Sequence, residues 1–164
     1  MATNFKKDLS EEQEKISCED NLKFGIVVSD WNPTITNALF EGAKSTLLKS
    51  GVKEENIISM KVPGSFELTS GANFLARETD VNAVICLGCV IKGETPHFEY
   101  ICQGVTQGIT NLNIQYKIPF IFGILTTLNQ RQAAERAGGV YGNKGEESAI
   151  VAIKMSQLFC RLKK

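Results

Sequence analysis

The sequence predicts an α/β fold with a parallel sheet covered on both faces. Three observations point there. Four short apolar runs punctuate the chain, and each is followed by a stretch that starts with turn or helix-capping residues. Runs and helical stretches alternate without an internal repeat, and parallel strands need such crossovers, which should be right-handed. At 164 residues and 43% apolar content, the chain can bury an ordinary single core.

The elements follow in order. Met1 to Asp20 is polar and charged without a clear period, and is expected to be an N-terminal arm before a domain over residues 21–164. Phe24–Ser29 is the first strand. Asn32-Pro33 then supplies an N-cap and a first-turn proline for a helix that runs toward Ser50 and is closed by Gly51. Ile57–Val62 is the second strand; Pro63-Gly64 turns the chain, and Ser65 caps a helix to about Glu78. Ala83–Leu87 is the third, followed by a helix from Pro96 to about Tyr116 with Thr95 as N-cap. Pro119–Leu125 is the fourth. Two further helices, Gln130–Ala137 and Glu146–Leu162, flank a glycine-rich loop over Gly138–Gly145.

Composition excludes several classes of function. Lys plus Arg equals Asp plus Glu at 18 each, so no net field draws nucleic acid or an anionic membrane. There is no apolar stretch of spanning length and no signal-like N-terminus, which reads as a soluble, cytoplasmic protein. The five cysteines, Cys18, Cys86, Cys89, Cys102 and Cys160, are an odd number in a chain with a good core, which argues against a disulfide framework. Cys86-x-x-Cys89 has the spacing of a redox or zinc half-site, but Cys86 lies within a strand and no second such pair exists. Neither a metal nor a cofactor is expected.

In open α/β sheets, ligands bind outside the carboxyl ends of the strands. The four strand-to-helix loops, Asp30–Asn32, Pro63–Ser65, Cys89–Thr95 and Thr126–Leu128, therefore share one rim, and they or the turns they enter hold the only Trp and the only His. His97 falls in the first turn of its helix, beside backbone N–H groups without intrahelical partners, where an imidazole can move protons near pH 7. Trp31 is either a hydrophobic plug or a ring that stacks on a planar heterocycle. Ser65 and Glu67 fit simple capping, or hydroxyl binding along a polyol chain. Gly93-Glu-Thr95 can cradle a phosphate through main-chain amides, but Glu94 carries the wrong charge, so a cation such as Lys92, Arg131, Arg136 or Lys144 must help. The loop is not a Walker motif, and no GxGxxG follows the first strand.

Taken together, four ordered motifs resemble the lumazine synthase family of riboflavin biosynthesis. They are Pro-Gly-Ser-Phe-Glu-Leu (63–68), Gly-Cys-Val-Ile-Lys-Gly-Glu-Thr-Pro-His-Phe-Glu-Tyr (88–100), Phe-Gly-Ile-Leu-Thr-Thr (122–127) and Arg-Ala-Gly-Gly-Val-Tyr-Gly-Asn-Lys-Gly (136–145). The match runs from about Phe24 to Gln157. It implies a flavodoxin-like three-layer fold with a four-stranded parallel sheet. It also implies condensation of 5-amino-6-(D-ribitylamino)uracil with 3,4-dihydroxy-2-butanone 4-phosphate to 6,7-dimethyl-8-ribityllumazine, phosphate and water, a transferase reaction.

On this resemblance Trp31 stacks on the pyrimidine, in a place where many members carry Phe. Ser65, Phe66 and Glu67 bind the ribityl chain, and Cys89, Val90 and Ile91 line the heterocycle mainly through backbone. Glu94 and Thr95 give amides to the phosphate, Arg136 is its counter-charge and His97 the proton carrier. Phe122 closes over the ring, and Lys144 sits near the polar end. Thr69 departs from the usual Pro after Glu-Leu, with little effect expected because it lies in a helix.

The resemblance further implies homopentamers, in some members packed into sixty-subunit shells, with Phe122 and Arg136 reaching the site of a neighbour. The loop over 138–145 is short, which leaves such packing sterically permitted. A functional association with riboflavin synthase is also implied. Two rivals are a flavin-binding module and a catalytically idle shell protein. The first would want a Ser/Thr-rich phosphate loop where this chain has Asp30-Trp-Asn-Pro33, and the second does not need an intact set of Trp31, Glu67, His97 and Arg136.

Overall fold

The computed structural model describes residues 21–162; the arm expected over Met1–Asp20 lies outside them. The four apolar runs become β1 (Phe24–Ser29), β2 (Ile57–Val62), β3 (Ala83–Ile91) and β4 (Phe120–Thr127). All pair in parallel, in the order β2-β1-β3-β4. Phe24 lies opposite Ile57 on one side and Ala83 on the other, so the two inner strands start level.

Successive side chains of a strand point to opposite faces, and here each face is apolar. Phe24, Ile26 and Val28 of β1 and Ile85 and Leu87 of β3 pack against α1 (Pro33–Lys49) through Leu39 and Leu47. Ala149 and Ile153 of α5 (Lys144–Leu162) complete that layer. The alternate residues Val27, Val84 and Cys86 meet Leu68 and Leu75 of α2 (Leu68–Glu78) and Val105 and Ile109 of α3 (His97–Gln115). Two helices therefore cover each face, which gives the expected three layers. No helix among the described residues is long and apolar enough to cross a membrane.

The strand order fixes where a site forms. The chain leaves β1 in one direction to reach β2 and in the other to reach β3 and β4. Right-handed crossovers then put α1 on one face and α2 and α3 on the other. The loops after β1 and β3 diverge to opposite faces, and a crevice opens between those strand ends.

Several boundaries differ from the sequence expectation. β3 continues past Leu87 through Gly88-Cys-Val-Ile91, because β4 pairs with it as far as Ile91 opposite Thr127. β4 correspondingly starts at Phe120 and ends at Thr127. Helix α3 begins at His97 with Pro96 in the N-cap place, so Thr95 is not its cap. Asn32 does hold the N-cap position of α1, but in the left-handed region (φ 59°, ψ 56°) and without a side-chain cap. Gly51, with φ 93°, closes α1 as expected of a left-handed residue after a helix.

The largest difference lies after β4. The expected helix over Gln130–Ala137 is a single short turn, α4 (Gln130–Ala134). The glycine-rich stretch is a hairpin of β5 (Ala137–Gly139) and β6 (Gly142–Asn143), in which Gly138 and Gly142 take positive φ. Helix α5 starts at Lys144 rather than Glu146. Its first turn is tied down by Asn143, whose Oδ1 accepts from the Gly145 N–H (2.8 Å) while its Nδ2 donates to the Ala38 carbonyl of α1 (2.9 Å).

Candidate active site

The crevice at the ends of β1 and β3 is a groove of about 610 Å³. Its walls come from three of the rim loops: Trp31 and Asn32 after β1, Gly64 to Glu67 after β2, and Cys89 to Thr95 running into His97 of α3. Phe98 and Ile101 of α3 complete the lining.

Trp31 is 71% exposed, so it plugs nothing; its ring stands at the mouth of the groove. Beside it Asp30 pairs with Lys61 at 2.9 Å. Asn32 was missed as a site residue because Asn before Pro reads as a helix cap. Its side chain instead crosses the crevice, Nδ2 donating to the Cys89 carbonyl at 3.2 Å. The pairing of β1 with β3 ends at Val28 opposite Leu87. Beyond that point β3 bonds only to β4, and one edge of the Cys89-Val90-Ile91 backbone faces the groove. Apart from the Asn32 contact, those amides and carbonyls are placed for an outside partner.

Ser65 is a correction to the capping reading. The N-cap position of α2 is Glu67, and the Ser65 hydroxyl is buried with no hydrogen-bond partner among the described residues. It presses on the site of Gly88, where an added Cβ would come within 2.8 Å of the Ser65 Oγ, so β3 needs glycine there. Glu67 curls back over Gly64, whose Cβ would lie 2.9 Å from the carboxylate. Phe66, half exposed, lines the same wall.

At the other end, Gly93, Thr95 and His97 line the groove, while Glu94 is exposed in the loop between them. Nothing lies within 4 Å of where a Gly93 side chain would start. His97 is exposed at the first turn of a 19-residue helix, next to its unpaired amides. Lys92 does not serve this loop as a spare cation. Its amine lies 3.2 Å from the Glu99 carboxylate, whose pKa is held below the ordinary value first by a backbone N–H and then by Lys92.

Cys89 is buried in the groove wall and Cys86 in the core behind it. Burial pushes their thiols up to about 11 and about 12, so both stay protonated near neutrality and make poor nucleophiles or metal ligands. Among the described residues no group of three His, Cys, Asp or Glu could hold a metal ion.

Three sequence candidates lie elsewhere on the subunit. Phe122 and Lys144 line a separate cleft along the outer edge of β4, between α3 and α5. Lys144 is paired there with Glu147. Arg136 sits just before β5 and lines neither space. One subunit therefore carries the groove on one side and these three residues toward another edge.

A family model described as 6,7-dimethyl-8-ribityllumazine synthase matches residues 21–159. The chain belongs to the lumazine synthase family. A protein of Parabacteroides distasonis with that name is 55% identical, over 94% of this chain and 97% of its own length. Its namesake in Bacteroides fragilis is 57% identical over 87% of this chain and all of its own. That of Porphyromonas gingivalis is 52% identical over 96% and 98%. As a lumazine synthase, the chain is a member of a transferase family of riboflavin biosynthesis that acts on small molecules and assembles into oligomers.

Proposed function

We propose that this chain condenses 5-amino-6-(D-ribitylamino)uracil with 3,4-dihydroxy-2-butanone 4-phosphate in the groove at the β1/β3 crevice, releasing phosphate and two waters. The observation that carries this reading is one groove holding an exposed Trp31 ring, a Ser65 hydroxyl without a hydrogen-bond partner among the described residues, the Glu67 side chain, an open β3 backbone edge, and His97 at a helix start. Each suits one part of a substrate. The ring suits the flat pyrimidine, and Ser65, Phe66 and Glu67 the ribityl chain. The backbone of Cys89, Val90 and Ile91 suits the polar edge of the heterocycle, and the Glu94 and Thr95 amides the phosphate.

The reaction joins an amine to a ketone, expels phosphate and closes a ring, so the protein has to align two molecules and move protons. Alignment alone can lower a barrier by several kcal/mol, and a positioned acid/base adds roughly 10²–10⁴-fold. His97 is the proton carrier, and its loss slows the reaction without abolishing it. Arg136 supplies the phosphate counter-charge and Phe122 the cover over the ring, both from a neighbouring subunit, with Lys144 near the polar end. That sharing is supported by their position away from the groove of their own chain. It makes the working unit a homopentamer, and the short hairpin between α4 and α5 leaves room for a sixty-subunit shell. Residues 21–164 form the catalytic domain, Met1–Asp20 the arm, and the enzyme works in the cytoplasm in association with riboflavin synthase.

The test is Arg136→Ala. A charge-assisted hydrogen bond contributes about 1.5–3 kcal/mol, so KM for the butanone phosphate should rise about ten- to hundredfold. Affinity for the ribitylaminouracil should stay near wild type. Arg136→Lys should recover only part, because an ammonium lacks the bidentate fork. Wild-type kinetics in both variants would transfer the counter-charge to another residue, with Lys144 next.

A further inference from the structure

The guanidinium of Arg136 is held before any substrate arrives. Its Nη1 donates to the Gln132 carbonyl at 3.0 Å, and the same nitrogen is 4.0 Å from a Glu135 carboxylate oxygen. Both contacts use one corner of the fork, which leaves Nε and Nη2 for an outside acceptor. The group also lies over the Tyr141 ring, whose centroid is 4.7 Å from Cζ. Tyr141 is at the turn between β5 and β6, where its own N–H donates to the Glu135 carbonyl at 2.9 Å. At the open end of the hairpin, one pair beyond Ala137 and Asn143, the Lys144 N–H donates to the Arg136 carbonyl, also at 2.9 Å. The hairpin thus folds back on the backbone that carries Arg136 and lays a ring on its side chain. The ring is half exposed and adds little to the core.

We infer that Tyr141 is a positioning residue for the phosphate substrate, its ring fixing the Arg136 guanidinium so that the edge away from Gln132 meets the dianion. The inference rests on the reading of Arg136 given above. An arginine side chain carries several freely rotating bonds, and fixing them before binding improves affinity without a new contact. Stacking over an aromatic face restrains the plane of the fork while leaving its N–H edge open.

The experiment uses the assembled full-length enzyme at saturating ribitylaminouracil, with the butanone phosphate varied and inorganic phosphate as a competing ligand. Tyr141→Phe and Tyr141→Trp keep a ring and should hold KM and the phosphate inhibition constant within about twofold of wild type. Tyr141→Leu keeps apolar bulk without a π face, and Tyr141→Ala keeps neither. Both should raise KM and the inhibition constant about three- to tenfold with kcat little changed. In an Arg136→Ala background the same Tyr141→Ala change should have no further effect on KM, since the group it orients is gone.

Equal KM shifts in both backgrounds would overturn the inference by assigning Tyr141 an independent role. So would a Tyr141→Leu variant with wild-type KM. An Arg136→Ala variant with unaltered KM would instead remove the reading on which the inference stands.

Discussion

At the scale of single residues, the site depends on placing large or reactive groups where the core does not want them. Trp31 is the plainest case. A ring 71% exposed at a strand end buries little of its own surface in the free subunit, so its contribution lies in what it covers. Adding ribitylaminouracil or the lumazine product should change the emission of this lone tryptophan. Trp31→Phe should keep affinity within a few-fold, whereas Trp31→Ala should lose about tenfold. Unchanged emission at a ligand concentration shown by calorimetry to saturate would rule out stacking. His97 and Trp31 were legible in the sequence because each stands beside a helix-starting proline after an apolar run. Asn32 was not, and Ser65 was legible only as one of two readings, a cap or a hydroxyl-binding group. Each sits beside a proline or glycine turn before a helix, and a capping hydroxyl or amide is spelled the same way as one aimed into a crevice. Only the path of the chain tells them apart.

At the scale of elements, the strands were readable and the hairpin was not, for physical reasons. β1 and β2 kept their expected bounds: β1 is buried along its whole length, and β2 alternates half-buried apolar residues with the exposed Ser59 and Lys61 before it ends at buried Val62. β3 outran its apolar run because β4 was there to pair with it, and a partner strand is not visible in a local pattern. The hairpin of β5 and β6 looked like loop because glycines dominate it, although those glycines serve its turns and its close contacts. Its most consequential residue is Asn143, which no local pattern marks. It bridges the α1 backbone and the first turn of α5, and so fixes the hairpin that carries Arg136 and Tyr141. Asn143→Ala would leave the buried Gly145 amide without its partner and remove the tie to the Ala38 carbonyl, at a cost of about 1–3 kcal/mol. Gly145→Ala should be worse, because its Cβ would fall 1.9 Å from the Leu39 carbonyl oxygen, a backbone atom that only a shift of α1 can move. Gly93→Ala, with nothing within 4 Å, is the neutral control. Denaturant midpoints should fall in the order wild type and Gly93→Ala, then Asn143→Ala, then Gly145→Ala.

At the scale of the whole molecule, the subunit keeps apart the residues that the proposed reaction would bring together. The groove with Trp31 and His97 opens at the β1/β3 crevice, while Phe122 and Lys144 line the β4 edge and Arg136 lies before the hairpin. A ring of copies reunites them if the β4 edge of one subunit meets the groove of the next, a head-to-tail contact that closes by rotation. Such an assembly predicts complementation. His97→Ala and Arg136→Ala are each slow at low butanone phosphate, but they damage opposite sides of a shared site. When the two are denatured together in equal amounts and refolded, an interface is intact wherever an Arg136→Ala subunit offers its groove to a His97→Ala neighbour. Random mixing gives that pairing at about one interface in four, so activity should recover to about a quarter of wild type. Sites complete within one chain would give no more than the mean of the two variants. The mass of the same sample fixes the ring, since at 18.0 kDa per chain a pentamer is about 90 kDa and a sixty-subunit shell about 1.1 MDa. Recovery in a particle of either size supports the shared site, and an active monomer without recovery would end it.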